Sequence, residues 1–209
     1  MTNSNSPFGF RQYQGGAGGA PTFGMSERRI ASGNATAIFQ GDPVNPVVGA
    51  ATGYITQGVA GTVRIDGIFW GCKYLSTARK QTVWSNYWPG SDATGDVFAY
   101  IVDDPNTRFV VQGNSTTFNI SGTLSTYTSS PVGQYAQYAI GTGSTATGIS
   151  GAYLNTLATT VTLPFIVTDL ITAPPGSPGA DPTTAYNWVV VGFNNEWMRT
   201  NGAGPTGIS

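Results

Sequence analysis

The stretch Phe98-Ala-Tyr-Ile-Val102, followed by Asp103-Asp104-Pro105-Asn106 and then Phe109-Val-Val111, is the clearest piece of local order in the chain. Both flanking runs are aromatic and β-branched, the residue types that pack well on a pleated surface. The segment between them is turn chemistry: Asp and Asn side chains bond their own backbone, and Pro pre-sets φ. The spacing predicts a β-hairpin, with strands over residues 96–103 and 107–112.

The same grammar extends outward in both directions. Over residues 62–71, Val63, Ile65, Gly67 and Phe69 alternate with Arg64, Asp66, Ile68 and Trp70 in the period of two that marks a strand. Further runs at residues 35–40, 81–84, 116–120, 134–140, 160–168 and 187–193 bring the expected total to eight or nine strands. Gly41-Asp-Pro43 and Asn45-Pro46 predict two bends in quick succession. No stretch carries a helical repeat free of Gly and Pro, and residues 150–159 can offer one short turn at most. Residues 141–151 (Gly, Ser, Thr, Ala) and 173–184 (Pro-rich) read as exposed loops. There is no internal repeat of solenoid or propeller period. These observations predict an all-β chain forming a single β-sandwich, jelly-roll-like, with a β-barrel or β-tulip as the alternative.

Composition narrows the function classes. Of 209 residues, 40% are hydrophobic and 12% aromatic, enough to build a core. Only 9% are charged, where about 25% is usual. The net charge of -1 leaves no basic surplus for phosphates, which argues against nucleic acid as a partner. No histidine is present, so His-dependent catalytic triads and His metal sites are excluded. The single cysteine, Cys72, reads as a small buried hydrophobe. No apolar run reaches membrane-spanning length and no export signal is visible, so a soluble chain without membrane partners is expected.

Three regions divide the chain. Residues 1–29, rich in Asn, Ser, Gly and Pro yet carrying Phe8, Phe10, Arg11, Tyr13 and Phe23, read as an extended N-terminal arm whose aromatics anchor it to a neighbouring surface. Residues 30–200 form the β body, and 201–209 a loose tail.

Catalytic constellations are weak. Asp103 and Asp104 are adjacent, so on a strand they would face opposite ways, and Asp before Pro commonly starts a turn. Asp92 and Asp96 sit in a Gly/Ser loop without the ligand alternation of a calcium loop. The glycine clusters lack phosphate-loop context. We therefore expect no catalytic residues, no cofactor and no metal. The one place where cations and aromatics interleave is Lys73, Arg79 and Lys80 with Trp70, Tyr74, Trp84, Tyr87 and Trp88. Such a set suits either a core and subunit interface, or a platform for sugar rings or bases.

Four ordered blocks carry a family resemblance: residues 30–44 (Ile-Ala-Ser-Gly-Asn-Ala-Thr-Ala-Ile-Phe-Gln-Gly-Asp-Pro-Val), 67–74 (Gly-Ile-Phe-Trp-Gly-Cys-Lys-Tyr), 84–89 (Trp-Ser-Asn-Tyr-Trp-Pro) and 95–105 (Gly-Asp-Val-Phe-Ala-Tyr-Ile-Val-Asp-Asp-Pro). Over roughly residues 28–112 the chain resembles tailed-bacteriophage capsid decoration, or cement, proteins. That resemblance implies a non-enzymatic virion protein on the outer surface of the head, present in the host cytoplasm during assembly. Its expected partners are the major capsid protein and further copies of itself, commonly as a trimer, reinforcing the shell against internal DNA pressure. The competing reading is a carbohydrate- or receptor-binding module of a head fibre or tail.

Overall fold

A computed structural model describes residues 3–15, 20, 24–47, 53–123 and 126–197, of which 121–129 as backbone alone. Sixteen strands are described: β1 (Arg11–Gln14), β2 (Ser26–Ile30), β3 (Ile38–Phe39), β4 (Pro43–Pro46), β5 (Ile55–Gln57), β6 (Gly67–Leu75), β7 (Thr82–Ser85), β8 (Tyr87–Trp88), β9 (Val97–Val102), β10 (Arg108–Gln112), β11 (Ser121–Thr123), β12 (Thr126–Ser129), β13 (Tyr135–Ala139), β14 (Tyr153–Ala158), β15 (Phe165–Leu170) and β16 (Trp188–Phe193). The protein is an all-β sandwich of antiparallel sheets and not a closed barrel. Its first six-stranded sheet runs β1-β10-β16-β15-β13-β14. The second runs β2-β9-β6-β4-β5, with β7 pairing the far half of β6. Two small ribbons, β3-β8 and β11-β12, complete it.

The turn at residues 103–107 forms as the sequence predicts, with the Asn106 amide donating to Asp104 Oδ1 (2.9 Å) and the Thr107 amide to the Asp104 carbonyl (3.0 Å). The hairpin does not. β9 pairs β2 and β6 in the second sheet, whereas β10 pairs β1 and β16 in the first, so this turn carries the chain from one sheet to the other. Two further expectations change. Residues 116–120 hold a 3-10 turn (Thr116–Phe118) that drives Phe118 into the core, and residues 153–158, expected to be helical at most, are strand β14.

Two hydrophobic cores follow from this crossing. The first gathers Phe10, Phe109, Phe118, Tyr138, Phe165 and Phe193 with Ile68 and Val102. The second gathers Phe69, Ile101, Val97 and Cys72 under the lid of Ile38 and Trp88 from the β3-β8 ribbon. Neighbouring residues such as Ile68 and Phe69, or Ile101 and Val102, thus feed opposite cores, as strand alternation requires.

The N-terminal residues are part of this body. β1 is an edge strand of the first sheet, paired with β10. Phe10 is fully buried, stacked on Phe165 at 4.5 Å and edge-on to Phe109 at 6.4 Å. Gly9, at φ +73, lies so close that a Cβ there would sit 2.6 Å from Ser150 Cβ; a side chain at this point would hold the segment off. β2 closes the edge of the second sheet against β9. Residues 3–15 and 24–30 therefore belong to the sandwich rather than to a separate extended arm, because β1 and β2 pair within its sheets and Phe10 and Ile30 are buried in its cores. The expected tail, 201–209, lies outside the described residues.

The edge strand β2 is fastened by charge. Arg28 donates to Asp66 (3.0 Å) and to Asp103 (2.9 Å), and Ser26 Oγ donates to Asp103 (2.8 Å). Burial raises the Asp66 pKa, and the Arg28 guanidinium works against that shift. Arg28→Ala leaves a largely buried Asp66 carboxylate without its cation, and is expected to cost about 2 kcal/mol of stability. Chemical denaturation checks this; an unchanged midpoint would mean that the pair is solvated.

Candidate functional site

The cation–aromatic set of the sequence divides between the two faces of the second sheet. Tyr74 and Trp88 turn inward and meet edge-on at 5.1 Å in the second core, where Trp88 Nε1 donates to the Asn34 carbonyl (3.1 Å). Tyr87 stacks on Phe39 at 5.5 Å. Cys72 joins the same core, its thiol pushed up to about 12 by burial, which suits the inert hydrophobe read from sequence. Arg79 and Lys80 are exposed on the turn after β6.

Trp70, half-buried, packs against the first core, whereas Trp84 and Lys73 lie on the face of β6 and β7 turned away from the second core. There the register aligns Arg29 (β2), Phe98 (β9), Lys73 (β6) and Trp84 (β7) in one cross-strand row. Arg29 lies over the Phe98 ring at 5.2 Å, and the Lys73 ammonium over Trp84 at 4.9 Å. Trp84 is 67% exposed and parallel to Tyr100, with ring centroids 6.0 Å apart. The strand between them, β6, carries Gly71 opposite Tyr100, so no side chain stands in the way.

Below these rings runs a groove of about 640 Å³ lined by Met25, Trp70, Trp84 and Tyr100, with Gln40 and Asn86 among its polar members. A second depression of about 430 Å³ shares the Trp70 and Gln40 walls and continues to Phe8, Arg11 and Gln12. Phe8 is half-buried, packed edge-on against Trp188 at 4.9 Å and covered by the Arg11 guanidinium at 4.7 Å. Of the remaining arm residues, Tyr13 is exposed and Phe23 lies outside the described residues. Gln12 is nine-tenths buried, and its Oε1 has no hydrogen-bond partner among the described residues. A buried acceptor left in that state costs about 1–3 kcal/mol.

A second surface escaped the sequence reading. The loops at 58–64 and 159–164 meet at one end of the sandwich, where Asn195 Nδ2 donates to both the Val63 carbonyl (2.8 Å) and the Thr162 carbonyl (2.9 Å). Asn194 Nδ2 holds the Val161 and Leu163 carbonyls, and Gln137 holds Thr62. These pinned loops present Val59 (68% exposed), Val63 and Val161 to solvent, with Arg64 as the one charge on the two loops. The sequence assigns Val63 and Val161 to strands over 62–71 and 160–168; the strands begin only at Gly67 and Phe165, so both valines fall on loops, and only the fold reveals that they converge.

The carboxylates are engaged in structure. Asp103 binds Arg28 and Ser26, Asp104 closes its turn, Asp92 accepts from Ser76 Oγ and the Ala78 amide, and Asp96 accepts from Tyr54. Those bonds hold the Asp92 pKa below its ordinary value. Among the described residues, no group of three or more His, Cys, Asp or Glu is placed to hold a metal ion. Compared with known families, curated proteins and solved structures, the chain matches no family model, no curated protein and no solved structure.

Proposed function

We propose that this protein is a non-enzymatic structural component that binds the outer surface of a tailed-phage head shell and stabilises it, acting as a trimer. The observation that carries the reading is the valine rim: apolar side chains held outward on hydrogen-bonded loops that carry almost no charge. Pre-ordered apolar loops lose little entropy on docking, so contact with another protein surface is their natural use. The resemblance of residues 28–112 to decoration proteins supports the same reading, as does the structural engagement of the Asp side chains. Docking through the rim replaces the clamp expected of residues Phe8 to Tyr13, since Phe10 is committed to the protein's own core.

Two measurements test it. Quantitative mass spectrometry of purified phage particles is expected to find the chain in near-stoichiometric ratio to the major capsid protein; a few copies per particle, or none, would overturn the reading. On shells stripped of the protein, Val59→Asp with Val63→Asp is expected to weaken rebinding by about tenfold or more, because two carboxylates must then be desolvated at the contact. Rebinding at wild-type affinity would remove the rim from the interface.

A further inference from the structure

We propose that two neighbouring depressions, one beside Trp84 and Tyr100 and one beside Phe8 and Gln12, which share Trp70 and Gln40, together form a binding site for a neutral oligosaccharide chain. This goes beyond shell binding and uses a different face of the molecule. Pyranose rings present apolar C–H faces and a rim of hydroxyls. A matching site needs flat aromatic faces spaced along a trough, with amide donors and acceptors between them. Trp84 and Tyr100 supply parallel rings at one end, Trp70 stands at the junction, and Phe8 lies at the other end.

The polar members favour this ligand class over others. Gln40, Asn86 and Gln12 are amides, and Asn86 is oriented by a bond from its Nδ2 to the Thr147 carbonyl (2.6 Å). Gln12 supplies an independent sign of a missing partner: a nine-tenths buried side chain in the groove wall whose carbonyl oxygen accepts no bond among the described residues. The oxygen lies just beneath the surface, and a turn of the Gln12 side chain would offer it to a sugar hydroxyl, the kind of donor it lacks. Arg11 lines one depression and the Lys73 ammonium lies over Trp84 at 4.9 Å; two cations are too few to follow a phosphate backbone, so a single-stranded nucleic acid is disfavoured despite the stacking rings.

The sequence pointed to a sugar platform made of Tyr74, Trp84, Tyr87 and Trp88. Burial of Tyr74 and Trp88 dissolves that set, and Trp84 instead partners Tyr100 from the next strand but one.

The test is calorimetric titration of the full chain with neutral hexasaccharides: β-1,4-linked glucose, α-1,4-linked glucose and β-1,4-linked N-acetylglucosamine. An oligothymidylate serves as comparison. At least one hexasaccharide is expected to bind. Trp84→Ala is expected to weaken it by about tenfold and Gln12→Leu by several-fold, with melting temperatures at or above wild type for the second variant. Val59→Asp, remote from the groove, should leave the titration unchanged, which separates this proposal from the shell-binding one. No binding by any hexasaccharide at up to about 10 mM overturns the site. So does binding that either groove variant leaves intact, or binding of the oligothymidylate alone.

Discussion

Phe10→Ala is expected to lower stability by about 3–5 kcal/mol, a fall in melting temperature of about 10 °C for a chain of this size. The ring is fully buried, stacked on Phe165 and edge-on to Phe109, in a core where Phe193 completes the aromatic cluster. Truncation would leave a cavity walled by rings on β10, β15 and β16, strands already fixed by their own pairing and unable to collapse around it. The same substitution in a detached arm would change binding and leave melting untouched. Differential scanning calorimetry therefore separates the two architectures, and an unchanged transition would return residues 3–15 to the status of an arm.

Asp42→Ala is expected to cost a similar amount, about 3–5 kcal/mol, by a different route. Asp42 is buried at the joint between the two cores, and its carboxylate accepts from the Phe39 amide (2.8 Å), Gln57 Nε2 (2.7 Å) and Ser150 Oγ. Alanine would strand all three donors. Asp42→Asn should behave otherwise: the amide oxygen can keep Phe39 and Gln57, and its NH2 can turn to the Ser150 hydroxyl.

The pH dependence distinguishes them further. Burial raises the Asp42 pKa above its ordinary value, against the opposing pull of its three hydrogen bonds. The folded state therefore binds the proton more tightly than the unfolded chain. This carboxyl favours folding most at pH below its unfolded pKa, and that contribution is lost as pH rises through the raised folded value. Melting curves across acid to neutral pH are expected to show Asp42→Asn gaining on wild type as pH increases. A constant difference would mean that the Asp42 pKa is the same in both states.

How far the sequence discloses the fold depends on what decided each element. The runs at 97–102, 108–112, 135–139 and 188–193 were legible because strand propensity and alternation coincide there. The crossing at 103–107 was not, because Asp-Asp-Pro-Asn specifies that the chain turns and says nothing about which sheet receives the next strand. β1 and β2 were hidden for another reason: Arg11-Gln-Tyr-Gln14 and Ser26-Glu-Arg-Arg-Ile30 are polar edge strands, held by backbone pairing and by Arg28 rather than by an apolar stripe. At the groove, Trp84 was legible as an exposed aromatic candidate. Tyr100 was within reach, since Val97, Ala99 and Ile101 claim the inner face and leave Phe98 and Tyr100 outside. Gln12 and the valine rim depend on contacts between residues about a hundred or more positions apart, which no local pattern encodes.

The pairing of β1 with β10, and the packing of Phe10 against Phe165, also set a timetable for the growing chain. Residues that leave the ribosome first must wait for partners about a hundred and more positions later. β16, the strand that sits between β10 and β15, is the last of the described strands to emerge. The first sheet therefore closes only once β16 is available, and until then Phe10, Phe109 and Phe165 lack the full set of partners that buries them. The second sheet, whose strands all lie within residues 26–102, has no such wait, so the two halves of the sandwich mature in order, the later one paced by its distant pairings.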